Sequence, residues 1–496
     1  MGHRKWLAML LACLLTVVGC HTAAPSAPPT APTAPTAPPP TGVVGGTTPT
    51  LAWNPSDGTD PYAVTTHLGW QLCELLHGGL TAVAPDWSVA PLWAESVIQT
   101  DGTHLEAVLR ADAVFSDGKP MTAAHVLQSF ADARQSDAYG ETVGNIRSIT
   151  ADDRTLTVTL YTADVVNPTA ALSFPIVRRE KNAVVGCGRY LADTKVGVLK
   201  ANPHHPQQPL IKEWKLAAVS ADDLPYALAS GQIAVYTTDL TDGVVTVAGD
   251  IRQETAVLPQ LLFIGINDTH KALKENVFRQ GLSAAIDRRT LAANGFSGYL
   301  QATTLPFMEK NHTENGGLQE NIAQAVAKWK ELGYNDSQSG VSSSEKGKLP
   351  TLNLLTVAED PLHQATAVLL CEQWKAAGLT VKNVPLAADE YRSRIRRGNF
   401  ELYLGELRQA ADLSLRPWLT ADGAAAASLR SEDAAAYAAY LAGESTVEEY
   451  RQQFAESLPF IPLGWRMGAV VCGNALTELS LGGPSFFSGV HSWKWS

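Results

Sequence analysis

Side chains capable of chemistry are plentiful in this chain, but few stand at spacings that chemistry requires. Gly295-Phe296-Ser297-Gly298-Tyr299 sets a serine between glycines, yet the final glycine of the strained turn that presents a hydrolase nucleophile is missing. Gly186-Cys187-Gly188-Arg189-Tyr190-Leu191 begins like the phosphate-cradling turn of a dinucleotide fold and lacks its third glycine. No H-E-x-x-H pair, C-x-x-C pair, Walker loop or EF-hand loop occurs. The adjacent His204 and His205 could ligate a metal or simply belong to a polar loop. With 49 acidic residues, a distant carboxylate pair of the glycoside-hydrolysing kind is not excluded by spacing. Nothing in these patterns points specifically to catalysis, and we expect no enzyme activity, no cofactor and no metal.

The elements that would position a binding site are more legible. In Val108–Phe130 an extended run ends in the turn Ser116-Asp117-Gly118-Lys119, then Pro120 and Thr122 open a helix with Val126, Leu127 and Phe130 on one face. Leu72, Leu75 and Leu76 fall on a helix stopped at Gly78-Gly79. A hairpin is expected around Asp101-Gly102, with Leu105, Ala107 and Leu109 alternating to one face, and Leu156, Val158 and Leu160 repeat that period. Val277, Gly281, Leu282, Ala285 and Ile286 share a helical face, as do Ile322, Val326 and Trp329. Residues 351–386 read as strand, helix and strand, hence a parallel pair in an α/β region, followed by a helix over 389–399 and the strand in "FELYLGEL". Residues 336–348 read as an exposed insertion and the Ala-rich stretch 424–442 as a helical surface segment.

The N-terminus points outside the cell. Arg4 and Lys5 precede the apolar run Trp6–Val18, too short to span a bilayer, and "VVGC" follows at Val17–Cys20. Small residues before a cysteine resemble the lipobox of bacterial lipoproteins, which implies lipidation of Cys20 after removal of residues 1–19; a plain secretory leader with an incidental cysteine is the alternative. Residues 21–50 hold nine prolines and no Asp, Glu, Lys or Arg. Such a segment extends as polyproline II and could hold a domain up to ~90 Å from its anchor. The formal net charge of −11, which becomes −13 without Arg4 and Lys5, argues against nucleic acid and against anionic lipid surfaces. Cys73, Cys187, Cys371 and Cys472 could pair in three ways or remain thiols, and the sequence does not choose.

In this setting "WAESVIQTDGTHLEAVLRADAVFSDGKPMTAAHVLQSF" is similar to the signature of the family 5 extracellular solute-binding proteins, the dipeptide, oligopeptide and nickel receptors of ABC importers. His125 stands where that family usually has an acid, a change expected to affect local capping rather than ligand binding. "DPY" (60–62) with "LCELLHGGL", "VVGCGRY" (184–190), "GINDTHKALKENVFRQGLSAAIDRRTL" and "SLPFIPL" (457–463) resemble further family blocks in order, over most of residues 50–465.

The resemblance implies an α/β, two-lobe periplasmic-binding-protein-like fold of type II, in the large form with an extra subdomain and a hinged cleft. Lobe I is then 51–255 plus 455–496, with a strand-rich subdomain near 80–160, and lobe II is 256–454. The implied function is a lipid-anchored receptor on the extracellular or periplasmic face of the membrane. It would be a monomer that binds a short peptide or similar small solute and passes it to ABC permease subunits. Alternatives are a peptide-sensing lipoprotein without transport and a secreted lipoprotein hydrolase. In peptide-binding members an Asp takes the ligand's amino group, and "QAADLSLRPWL" (409–419) resembles that segment, which places Asp412 at the acid, Arg416 where a second acid is usual, and Trp418 as a pocket wall. Trp465 and Arg466, just past "SLPFIPL", are expected to reach the cleft, Arg466 offering its guanidinium to a ligand carboxylate.

Overall fold

Two runs rich in β-branched, aromatic and small apolar residues, "IRQETAVLPQLLFIGI" and "FIPLGWRMGAVVCG", form the longest strands, Ile251–Ile266 and Phe460–Gly473. The computed structural model describes residues 48–181, 183–240, 250–308, 319–334 and 347–496; Cys20, nearly all of the Pro-rich segment and most of the 336–348 insertion lie outside them. The two strands run antiparallel from Ile251↔Gly473 to Gly265↔Phe460 and change neighbours midway. Ala469–Cys472 pair with Val235–Thr238 at one end, and Gln260–Ile266 pair with Leu402–Arg408 at the other. Among the described residues, one mixed sheet of 11 strands therefore passes from an N-terminal half into an α/β half through this pair.

The switch has a local cause. Val257 pairs with Met467 and Leu261 with Trp465, so Leu258-Pro259-Gln260 stand against Arg466 alone. Pro259 has no N–H to give a ladder and is tolerated in such a bulge, which bends the strand and adds twist.

The N-terminal half carries a separate antiparallel sheet in the order Ala94–Asp101, His104–Leu109, Thr155–Leu160, Ile146–Asp152. Leu105, Ala107, Leu109, Leu156, Val158 and Leu160 face one core, as their alternation requires. The turn at Ser116–Lys119 is built on Asp117, whose carboxylate accepts the Lys119 N–H at 3.2 Å and both Arg178 Nη atoms at 3.0 and 2.6 Å. Gly118 there has φ +80°, and the Arg178 guanidinium lies 5.0 Å over the buried Phe115 ring. Ser116 N–H donates to Gly186 O at 2.9 Å, joining this turn to the Gly-Cys-Gly turn. Gly186 and Gly188 lie so close to the main chain of Leu76 and His77 that a Cβ would sit 2.1 and 2.3 Å from it. His125 does act at the helix start, Ala123–Gln135: the Thr122 N–H donates to its Nδ1 at 3.0 Å.

In the α/β half, Thr351–Val357 and Thr380–Leu386 pair in parallel across the helix Pro361–Ala376, as the strand-helix-strand pattern requires. Arg288, fully buried, donates from Nε to Pro462 O at 2.9 Å and so ties the "AIDR" helix region to the returning strand. The Ala-rich stretch differs from expectation: only Ser431–Leu441 is helical, while Ala424–Leu429 form turns with Ala425 fully buried and Ala424 O accepting the Tyr403 hydroxyl at 2.6 Å. Alanine favours helix only weakly, and packing overrides it here. Cys73, Cys187, Cys371 and Cys472 are all free thiols in this structure.

Candidate functional site at the strand crossing

Charged groups from both halves converge where the long strands exchange partners. Arg466, opposite the bulge, is buried, with Nη1 donating to the Glu406 carboxylate at 3.1 and 3.2 Å and Nη2 donating to Asp239 O at 3.0 Å. Its guanidinium also lies 5.5 Å over the Phe296 ring. Glu406 belongs to the α/β half and Asp239 follows the strand Val235–Thr238 of the N-terminal half, so one side chain spans the junction. Burial pushes the Glu406 carboxyl up and Arg466 opposes it; Asp360 and Asp239 add repulsion. On the N-terminal side His67 Nε2 lies 2.8 Å from Thr237 Oγ1, and Gln71 donates to the same hydroxyl. Burial lowers the His67 pKa.

A second acid stands at the junction on the helix His67–Leu76. Burial pushes the Glu74 carboxyl up to about 7, opposed by a hydrogen bond from Ser485 and by Arg408 of the α/β half. Arg408 Nη2 donates to Pro484 O at 2.7 Å, another bond between the strand Leu402–Arg408 and the C-terminal segment. Trp70 and Tyr139 pack near Glu74, with ring centroids 5.9 Å apart.

The loop after Leu402–Arg408 carries Asp412. Its carboxylate is buried, accepts the Ser414 N–H at 3.0 Å and pairs with Arg416. Burial raises the Asp412 pKa against the pull of Arg416. Arg416 Nε and Nη1 are shut off from solvent without a hydrogen-bond partner. Asp164, buried on a loop of the N-terminal half, is close enough to Arg416 to feel its charge. Its neighbour Val165 donates its N–H to Leu441 O at 2.7 Å, so this loop is bonded to the helix Ser431–Leu441.

The residues picked out from sequence thus occupy two environments. Trp418 and Trp465 lie in one apolar cluster with Phe263 and Phe460, Trp418 stacking on Phe460 at 5.8 Å. Both indoles are fully buried and their Nε1 atoms lack hydrogen-bond partners. Asp412 sits on the loop leading into that cluster, and Arg466 takes the junction. Glu406, Asp239, Asp164, Glu74 and His67 were not singled out by sequence; an acid inside an otherwise apolar strand, as in "LYLGELR", is the one signal available for Glu406. Among the described residues no three His, Cys, Asp or Glu side chains gather as metal ligands, and no helix is long and apolar enough to cross a membrane.

Comparison places this architecture. The murein tripeptide binding protein MppA in its unliganded open form superposes with TM-score 0.72 at 18% identity, covering 92% of this chain and 99% of its own. The oligopeptide-binding protein AppA of Bacillus subtilis, solved with a nonapeptide, gives 0.60 at 17% identity, covering 90% of this chain and 100% of its own. NikZ of Campylobacter jejuni, solved with Ni(L-His), gives 0.63 at 17% identity, covering 90% and 99%. These likenesses show the two-lobe periplasmic-binding-protein fold. No curated protein matches the chain in sequence. The model of the bacterial extracellular solute-binding proteins, family 5 Middle, matches residues 88–421, from the strand-rich sheet to the loop bearing Asp412 and Arg416. With that span matched and the fold in agreement, the chain belongs to the family 5 bacterial extracellular solute-binding proteins.

Proposed function

We propose that this protein is the lipid-anchored receptor of an ABC importer, which takes a short peptide or similar small solute between its two lobes and hands it to the permease. The observation that carries this reading is the set of enclosed charges contributed by both lobes, Arg466 with Glu406 and Asp239 where two bulged strands cross, and Arg416 with Asp412 and near Asp164 on the loop that follows Leu402–Arg408. Such a junction bends as a hinge, and a ligand touching both sides shifts its equilibrium toward closure. Asp412 acts here through Arg416: the guanidinium already occupies the place of a ligand ammonium, and its Nε and Nη1 remain for a ligand oxygen. Trp418 and Trp465 stiffen the wall behind that loop, and Arg466 offers the ligand a second cationic contact. Peptides ending in a carboxylate, and other solutes with an oxyanion, suit two guanidinium groups.

Mass spectrometry of the solute released on denaturing purified protein tests this directly. A peptide or carboxylate-bearing small molecule in near-equimolar amount is expected, and a protein that carries and binds none, by calorimetry with peptide mixtures, would overturn the reading. Uptake of the identified solute, lost on deleting the gene, separates import from sensing.

The anchor is proposed at Cys20, on the motif "VVGC" and the uncharged Pro-rich stretch behind it. Cys20→Ala should abolish metabolic labelling with a palmitate analogue and move the protein from the membrane fraction to the medium. Retained label on that variant excludes lipidation at this cysteine.

A further inference from the structure

The His204-His205 pair and the arginine of the Gly-Cys-Gly-Arg turn meet in the N-terminal lobe, on residues that the crossing site does not use. Arg189 O accepts the Asn202 N–H at 2.8 Å, and its Nη2 donates to Gln207 Oε1 at 2.9 Å. His205 is buried, its Nδ1 lying 2.8 Å from Gln207 O and 3.1 Å from Gln207 N, and its ring meets Trp93 edge to face at 5.8 Å. His491 enters from the C-terminal segment, where its carbonyl accepts the Leu210 N–H at 3.1 Å. Arg189 Nε and His491 Nδ1 are both closed to solvent and have no hydrogen-bond partner.

The charges in this cluster are one-sided. Burial lowers the Arg189 pKa, and it lowers His205 to about 4 and His491 as well, with Arg189 pressing further on both imidazoles. Among the described residues no Asp or Glu forms an ion pair with any of the three. A guanidinium drawn largely out of water without a counter-charge is unfavourable, whereas Arg466 at the strand crossing and Arg416 on the loop after Leu402–Arg408 each have a carboxylate. A metal ion would meet the same positive charge, so the histidine pair does not suit one.

We propose that Arg189, Gln207, His205 and His491 form a site for a small oxyanion, a phosphate, sulfate or carboxylate group. The Nε–Nη2 edge of a guanidinium presents two parallel N–H bonds at the spacing of two oxygens of such an anion, and imidazole N–H groups complete the coordination. The loop that covers the site exposes Pro203, His204, Gln207 and Gln208 to solvent, so an ion enters by displacing it rather than by opening the lobes. Occupancy is thereby independent of the solute cleft.

Thermal unfolding in chloride buffer with added inorganic phosphate, sulfate or acetate, at matched ionic strength, tests the proposal. A saturable rise of a few degrees in melting temperature is expected with at least one anion, and the ranking of the three identifies the group preferred. Arg189→Gln should abolish the rise, yet be at least as stable as the native protein without added anion, because it removes an uncompensated charge. His491→Gln should weaken the half-saturating concentration several-fold. The absence of any saturable effect in the native protein would overturn the site. So would an Arg189→Gln variant that keeps the rise, or one destabilised equally with and without anion, which marks Arg189 as a brace.

Discussion

Asp412→Ala is expected to destabilise the protein by about 3–5 kcal/mol, the usual loss when one member of a buried ion pair is removed and the other is left uncompensated. The partner is Arg416, whose side chain is largely enclosed and whose Nη2 binds the Asp412 carboxylate. The same substitution also removes the acceptor for the Ser414 N–H. Urea unfolding would show the loss as a lower midpoint at unchanged slope. Converting both residues, Asp412→Leu with Arg416→Met, should recover most of it, because replacing a whole buried pair with apolar groups is close to neutral. Ligand affinity should nevertheless stay weakened in the double variant by on the order of 10-fold, about 1.4 kcal/mol, if Arg416 meets a ligand oxygen. A loss below about 0.5 kcal/mol in the single variant, the range of solvated surface acids, would show that the pair is not closed in solution.

The resemblance read from sequence offers Asp412 as the acid for a ligand's amino group, and says nothing of a part in holding the fold. The acid and its departure from the usual pattern, Arg416, both stood in the sequence. Their pairing did not, because it depends on the backbone turning between Asp412 and Arg416. The strongest resemblance blocks make contacts that hold the fold. Asp117 of the "FSDG" turn binds Arg178, 61 residues away, and the glycines of "GCGRY" make room for the end of the helix His67–Leu76. Period-two alternation was legible in the hairpin because one face is core and the other water. It was uninformative in "FELYLGEL", where both faces are covered and Glu406 reads as an interruption. Trp418 and Trp465 illustrate the same limit: an aromatic at a surface and one in a core can have identical local sequence, and only burial separates them.

Arg466→Ala should produce a loss of stability that depends on pH in a direction opposite to ordinary acid denaturation. Without the guanidinium, Glu406 keeps the burial that raises its pKa and the repulsion of Asp360 and Asp239, and loses the charge that opposes them. Its folded pKa then lies further above the unfolded value of about 4.3 than in the native protein. A group with a raised folded pKa takes up a proton on folding. Its contribution is intact below the unfolded pKa and is lost as pH rises through the folded one. The variant should therefore be less destabilised near pH 5 than near pH 8, the loss growing toward about 3–5 kcal/mol as pH rises through the folded pKa of Glu406 and folding must bury an unpaired carboxylate. Adding Glu406→Gln to Arg466→Ala should flatten that dependence, because the amide fills the same space without titrating. Urea midpoints of the native, single and double variants at the two pH values measure all three slopes. Equal loss at pH 5 and pH 8 would mean that Arg466 matters through its bond to Asp239 O or its packing on Phe296, and not through Glu406. The junction would then be held by main-chain contacts across the two strands rather than by a charge pair that a ligand carboxylate can compete for.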